Sequence, residues 1–197
     1  MQCDLSDVTI RLTSPDDDVR REAVQELSEW GSEEAVRRLA HALGDPCPAV
    51  REAAVEGLAG LPGETVVPHV LPWLRSESAA SRNAACQVLE EAGEAAVGPL
   101  GELIQDDDDA DVRKFAVDVL ARIGSRTGVP FLISALKDVN VNVAVAAAEA
   151  LGEVGGAGCV PALTEALKAH SFLRCTIARS LGEVGGGESV EALCELL

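Results

Sequence analysis

A hydrophobic pattern recurs along this chain every 31 residues, and that period limits the possible folds more than any other feature. Val19, Val50, Ser81, Val112, Val143 and Leu173 head equivalent segments at spacings of 31, 31, 31, 31 and 30. Eight residues after each head stands a leucine: Leu27, Leu58, Leu89, Leu120, Leu151 and Leu181. Twelve after each head come Gly31, Pro62, Gly93, Gly124, Gly155 and Gly185. A fixed period of this size marks stacked supersecondary units, each burying its apolar face against its neighbours.

Within a unit the pattern is helical. Val19, Ala23, Val24, Leu27 and Trp30 fall on one face of a 3.6-residue helix. Gly31 ends that helix, as glycine does where the chain turns left-handed. Val36, Leu39, Ala40 and Leu43 then form the apolar face of a second helix. The expected class is all-α: an α-solenoid of about six helix pairs, at 14–43, 45–74, 76–105, 107–137, 138–168 and 169–197, in a single array over 1–197. An N-terminal half repeat at 4–12 precedes them, because Val8 and Leu12 match Leu39 and Leu43.

Start signals recur at the same period. Ser14, Asp45, Ser76, Asp107 and Asp138 lie five residues before their heads, which predicts N-caps there with Pro15 and Pro46 as first helical residues. Pro68, Pro99, Pro130 and Pro161 are expected near the starts of the second helices. Pro72 should kink the second helix of its unit, and the third unit should slip by one residue onto Val97, Leu100 and Ile104.

The 197 residues carry 33 acidic and 16 basic side chains, a formal net charge of −17. Such a field repels nucleic-acid phosphates and anionic membrane surfaces, so neither is an expected partner. Six cysteines include no CxxC, and Cys86 occupies the column of Val24, Val55 and Val117, which predicts reduced packing residues. No basic region followed by an apolar run opens the chain, and no stretch approaches the ~18 apolar residues of a membrane span, so a cytoplasmic protein is expected.

Asp45, Val50, Arg51, Ala54 and Leu58, and again Asp107, Val112, Arg113, Ala116, Leu120 and Gly124, resemble the HEAT repeat. The short period is similar to the bacterial and archaeal subclass also found in phycobilin lyase subunits. The resemblance implies that the second helices line a concave binding face. It also implies a non-enzymatic scaffold or adaptor for another protein or peptide segment. A tetrapyrrole-handling subunit and a regulatory domain of a multidomain signalling protein are the alternatives.

Residues that could carry chemistry are few. Arg20, Arg51, Arg82, Arg113 and Arg174 form a regular column, broken by Ala144. Its guanidiniums can bridge to the loop aspartate of the same or the next unit, or present a basic ladder to an acidic ligand. The runs Asp16–Asp18 and Asp106–Asp109 lack EF-hand spacing and read as charge at helix N-termini. His41, His69 and His170 are not followed by Glu, so the paired His-Glu motifs of HEAT-type iron hydroxylases are missing. No nucleophile elbow, phosphate loop or zinc spacing occurs, so no catalytic residue, metal or cofactor is expected.

On the concave face the expected partner-binding residues are Arg37, Arg38, His41, His69, Trp73 and Arg75. Trp73 stands where other units have Ala42, Ala135 and Ala166, either as an aromatic anchor or as packing beside Pro72. The last helix stays apolar through Val190, Leu193, Cys194, Leu196 and Leu197. That predicts a longer natural chain, a covering partner, or self-association through the C-terminal repeat.

Overall fold

A computed structural model describes residues 5–169 and 171–194. Among these, every regular element is helical. The chain divides into two compact units, Met1–Ala96 and Val97–Leu197.

The first unit holds α1 (Leu5–Arg11), α2 (Asp17–Ser28), α3 (Glu33–Ala42), α4 (Pro48–Ala59), α5 (Gly63–Val70) and α6 (Ala79–Ala92). The division falls inside α7 (Glu94–Asp106). Then follow α8 (Ala110–Ile123), α9 (Val129–Ala135), α10 (Val141–Val154), α11 (Val160–Ala169), α12 (Arg174–Val184) and α13 (Gly186–Cys194).

First helices stack on first helices, α2 on α4 on α6 in one unit and α8 on α10 on α12 in the other. The six leucines of the repeat are all buried, as are the heads Val50, Ser81, Val112, Val143 and Leu173; Val19 is half-buried. Each fully buried leucine contributes roughly 2 kcal/mol by leaving water. Small residues set the spacing of the stack. A Cβ added to Gly152 of α10 would stand 2.9 Å from the Ser180 Cα of α12, so only glycine lets these helices approach so closely.

Helix starts lie two residues later than the sequence suggests. The caps are Asp16, Cys47, Ser78, Asp109 and Asn140, themselves 31 residues apart. Asp16, Ser78, Asp109 and Asn140 accept a first-turn N–H; the Cys47 side chain caps nothing. Ser14, Asp45, Ser76, Asp107 and Asp138 form the turn before the helix instead. Each accepts the N–H of the residue two further on, at 3.2, 2.8, 3.3, 2.9 and 2.7 Å. Short oxygen side chains compete for local N–H groups in this way, which is why the two columns look alike in sequence.

Gly31, Gly93, Gly124 and Gly185 of the glycine column have positive φ, whereas the second repeat has Pro62 there and α4 is capped by Gly60. Gly124 takes a left-handed conformation (φ 67°); in the fifth repeat Gly155 caps α10 in a right-handed conformation and the positive φ moves to Gly156 (φ 58°). Pro130 and Pro161 sit in the first turns of α9 and α11, whereas Pro68 and Pro99 lie inside α5 and α7. The difference has a local cause: 3₁₀ turns at Arg126–Gly128 and Ala157–Cys159 precede α9 and α11, so those helices begin later. At Pro72 the α-helix does stop, and Leu71–Arg75 continues as a 3₁₀ turn.

Candidate functional site

The column arginines do different jobs. Arg113 of α8 donates to Asp138 from Nε at 2.7 Å and from Nη2 at 2.8 Å, and its Nη1 donates to the Asp107 carbonyl at 2.8 Å. Arg20 of α2 repeats the arrangement, with Asp45 at 2.8 and 2.9 Å and the Ser14 carbonyl at 2.8 Å. One guanidinium thus ties its own loop to the loop of the next repeat. Arg51 and Arg82 hold their own loops, through the carbonyls of Asp45 at 2.7 Å and Ser76 at 2.6 Å. Arg51 has Ser76, not an acid, in the next loop. Arg174 is exposed at the first position of α12, and Ala144 is fully buried.

These bridges shift proton affinities. Burial pushes the Asp45 and Asp138 carboxyls up. Hydrogen bonds from Arg20 and Arg113, with the N–H groups of Cys47 and Asn140, outweigh it and hold both below the usual carboxylate range. The same bonds raise the Arg20 and Arg113 guanidiniums above their ordinary value. Permanently charged, two-point pairs of this kind orient loops.

The expected binding residues gather on the second-helix side of the first unit. Arg37 and His41 of α3 are exposed, and Arg38 is half-buried. Both arginines pair with Glu34 one turn earlier, Arg38 Nη2 to Oε1 at 2.6 Å. The hydrogen bond from Arg37 holds the Glu34 carboxyl below its ordinary value. His69 is half-buried in α5, and Arg75 is exposed at the end of the 3₁₀ turn.

Trp73 joins these two segments. The 3₁₀ turn aims its half-buried indole back toward α3, where the His41 ring meets it edge-on at 6.4 Å and 85°. The indole lies over Gly44, where a Cβ would come within 2.4 Å of it. Beside it opens a pocket of about 240 Å³ whose wall includes Leu12, Val24, Arg38, His41 and Trp73. Trp73 therefore both packs and lines a cavity, and Gly44 is the partner that sequence reasoning missed. The signal was a lone glycine before Asp45, at a position that holds Arg75 and Lys137 in other units.

The second unit has its own aromatic-on-glycine contact, Phe131 of α9 on Gly101 of α7, where a Cβ would meet the ring at 2.5 Å. It also has an apolar slot of about 310 Å³ between Ile133 and Leu136 on one side and Ala162, Ala166 and Ala169 on the other. Lys137 and Glu165 pair across its mouth at 3.3 Å. Ala166 is the counterpart of Trp73, so the slot exists where the large ring is missing.

Among the described residues no group of His, Cys, Asp and Glu is arranged to hold a metal ion, and no helix is long and apolar enough to cross a membrane. Cys47, Cys86, Cys159, Cys175 and Cys194 are thiols in no disulfide; burial pushes that of Cys159 up. In the Asp106–Asp109 run, Asp107 makes the turn and Asp109 caps α8. His170 and the apolar end at Leu196 and Leu197 lie outside the described residues.

The family model for HEAT repeats matches residues 5–90, 67–138, 97–172 and 129–197. Comparison with curated protein sequences gives no match. Among solved structures, a crescerin structure, of a protein that uses a TOG domain array to regulate microtubules in the primary cilium, gives a TM-score of 0.63. It is 15% identical, with 93% of each chain covered. Human deoxyhypusine hydroxylase in complex with glycerol gives 0.50 at 21% identity, covering 90% of this chain and 83% of that one. The complex of CpcE and CpcF of phycocyanin lyase from a Nostoc species gives 0.44 at 23%, covering 98% and 81%. At these identities the likeness concerns the fold alone.

Proposed function

This chain belongs to the HEAT-repeat family, and we propose that it is a non-enzymatic scaffold or adaptor holding a segment of another protein on its second helices. The binding surface is centred on Arg37, Arg38, His41, His69, Trp73 and Arg75 of the first unit. One observation carries this reading: the indole of Trp73 and the His41 ring frame an open pocket beside Arg38. The column guanidiniums of Arg20, Arg51, Arg82 and Arg113 on the first helices, by contrast, are committed to loops. Half-buried aromatic and arginine side chains around a pocket are the residue types that concentrate binding energy in protein interfaces. A partner helix or extended segment would lay successive side chains along this face.

Selection of displayed random peptides against the whole protein tests the reading. Peptides that bind the native chain should lose at least ~10-fold in affinity to the Arg37→Glu, Arg38→Glu double variant, the scale of charge contacts in an interface. Arg21→Glu on α2 should leave them unchanged, and far-UV circular dichroism should be the same for all three proteins. Peptides indifferent to the double variant would place binding elsewhere.

A further inference from the structure

Resting on that reading, we propose that the pocket beside Trp73 recognises an acidic segment of the partner, with one glutamate carboxylate seated on Arg38. The first observation is a donor without an acceptor. Arg38 Nη2 is held by Glu34 at 2.6 Å, but its Nε is buried and donates to nothing among the described residues. A buried guanidinium N–H without an acceptor leaves the cation under-satisfied, and the remainder of the side chain, 29% exposed, lines the pocket, where a carboxylate can meet it through a charge-assisted bond.

The second observation is local charge. The Trp73 pocket and the adjoining one of about 420 Å³ share Arg38 and His41 in their walls. Together they are lined by three guanidiniums, of Arg20, Arg37 and Arg38, against two carboxylates, of Asp45 and Glu34. Asp45 is committed to Arg20 and to the Cys47 N–H, which leaves Glu34 facing two arginines. With Arg20 held by Asp17 as well as Asp45, the cluster of Arg37, Arg38 and Glu34 carries one net positive charge in a chain whose net charge is −17. Exposed charges beyond about 8 Å are screened at physiological salt, so the near cations outweigh the distant acids.

The third observation is the shape of the wall. Leu12, Val24 and the Trp73 ring give the pocket an apolar lining that fits the two methylenes of glutamate, and the exposed His41 ring stands at its edge. A long polyanion such as a nucleic acid would extend past this patch onto acidic surface and lose what the patch gains.

The test uses three fluorescent peptides of about twelve residues, the length that spans a few helical turns. They carry leucines at the same positions and glutamate, glutamine or lysine elsewhere. Anisotropy titration against the whole protein should give the glutamate peptide about tenfold tighter binding than the glutamine peptide, weakening with added salt. Arg38→Gln should cost about tenfold in affinity for the glutamate peptide and little for the glutamine peptide. The exposed Arg37→Gln, which leaves the buried contacts intact, should cost a smaller factor, and Arg21→Gln nothing. Equal binding of the glutamate and glutamine peptides, tighter binding of the lysine peptide, no binding by any of the three, or indifference to Arg38→Gln would overturn the proposal. Displayed peptides that depend on Arg37 and Arg38 yet carry no acidic residues would overturn this inference alone, leaving the scaffold reading standing.

Discussion

Arg113 and Asp138 meet as a two-point pair, Nε to Oδ2 at 2.7 Å and Nη2 to Oδ1 at 2.8 Å, across the boundary between consecutive repeats. The side chains are 10% and 7% exposed, and the third nitrogen of the same guanidinium holds the Asp107 carbonyl. Removing one partner leaves a desolvated charge and a freed loop. Arg113→Ala should therefore lower unfolding stability by about 3 kcal/mol. Lys114→Ala, which breaks the more exposed pair with Asp118, should change it by no more than ~0.5 kcal/mol. Urea denaturation of both variants checks the contrast; equal losses would remove the structural role assigned to the column.

The depressed carboxyls give the bridges a pH dependence. Asp45 and Asp138 bind protons less readily in the folded chain than in the unfolded one. Their contribution is therefore complete above the unfolded value of about 4 and is lost as pH falls through the folded value. Protonating the other acids relieves self-repulsion over the same range, so the comparison belongs between variants. The Asp45→Asn, Asp138→Asn double variant should be less stable than the native chain at pH 7, and the gap should close below about pH 4. Urea midpoints measured from pH 7 to pH 3 would contradict this if the gap stayed constant.

Cys47 is the one cap of its column whose side chain bonds nothing, although its backbone (φ −81°, ψ 124°) matches the other four. Cys47→Ser places a hydroxyl where it can accept a first-turn N–H of α4, and should raise stability by about 0.5–1 kcal/mol. Asn140→Ala, which removes a working cap, should lower it by about 1 kcal/mol. A rise in the thermal midpoint for the first variant and a fall for the second is the expected pair. The same sign for both would undo the two-residue correction of the helix starts.

Much of the fold was legible because burial obeys the period: Leu27 and Leu181 stand at the same position of the first and last repeats and are equally buried. The helix starts were not, since Asp107 and Asp109 are the same residue two positions apart and only backbone geometry separates turn from cap. The arginine column showed as a column, but its split did not. Arg20 and Arg113 reach an acid in the next loop, whereas Arg51 has Ser76 at the equivalent position, a difference 25 residues away in the chain. At the candidate surface, Trp73 stood out as a departure from alanine, yet its seat on Gly44 depends on the 3₁₀ turn after Val70. The slot beside Ile133 left no mark of its own, because it is made by small residues such as Ala166.

The proposed function assigns partner binding to the second-helix face of the first unit. A photo-cross-linking scan across both faces of that unit tests this assignment. A photoreactive amino acid is placed singly at Arg37, His41 and Arg75 on one face, and at Glu22, Glu52 and Gln87, which are exposed on the first helices. Irradiation in the native cell should yield the same covalent adduct from the first three positions and none from the other three. Adducts that arise from Glu22, Glu52 or Gln87 and not from the second-helix positions would put partner binding on the first helices instead.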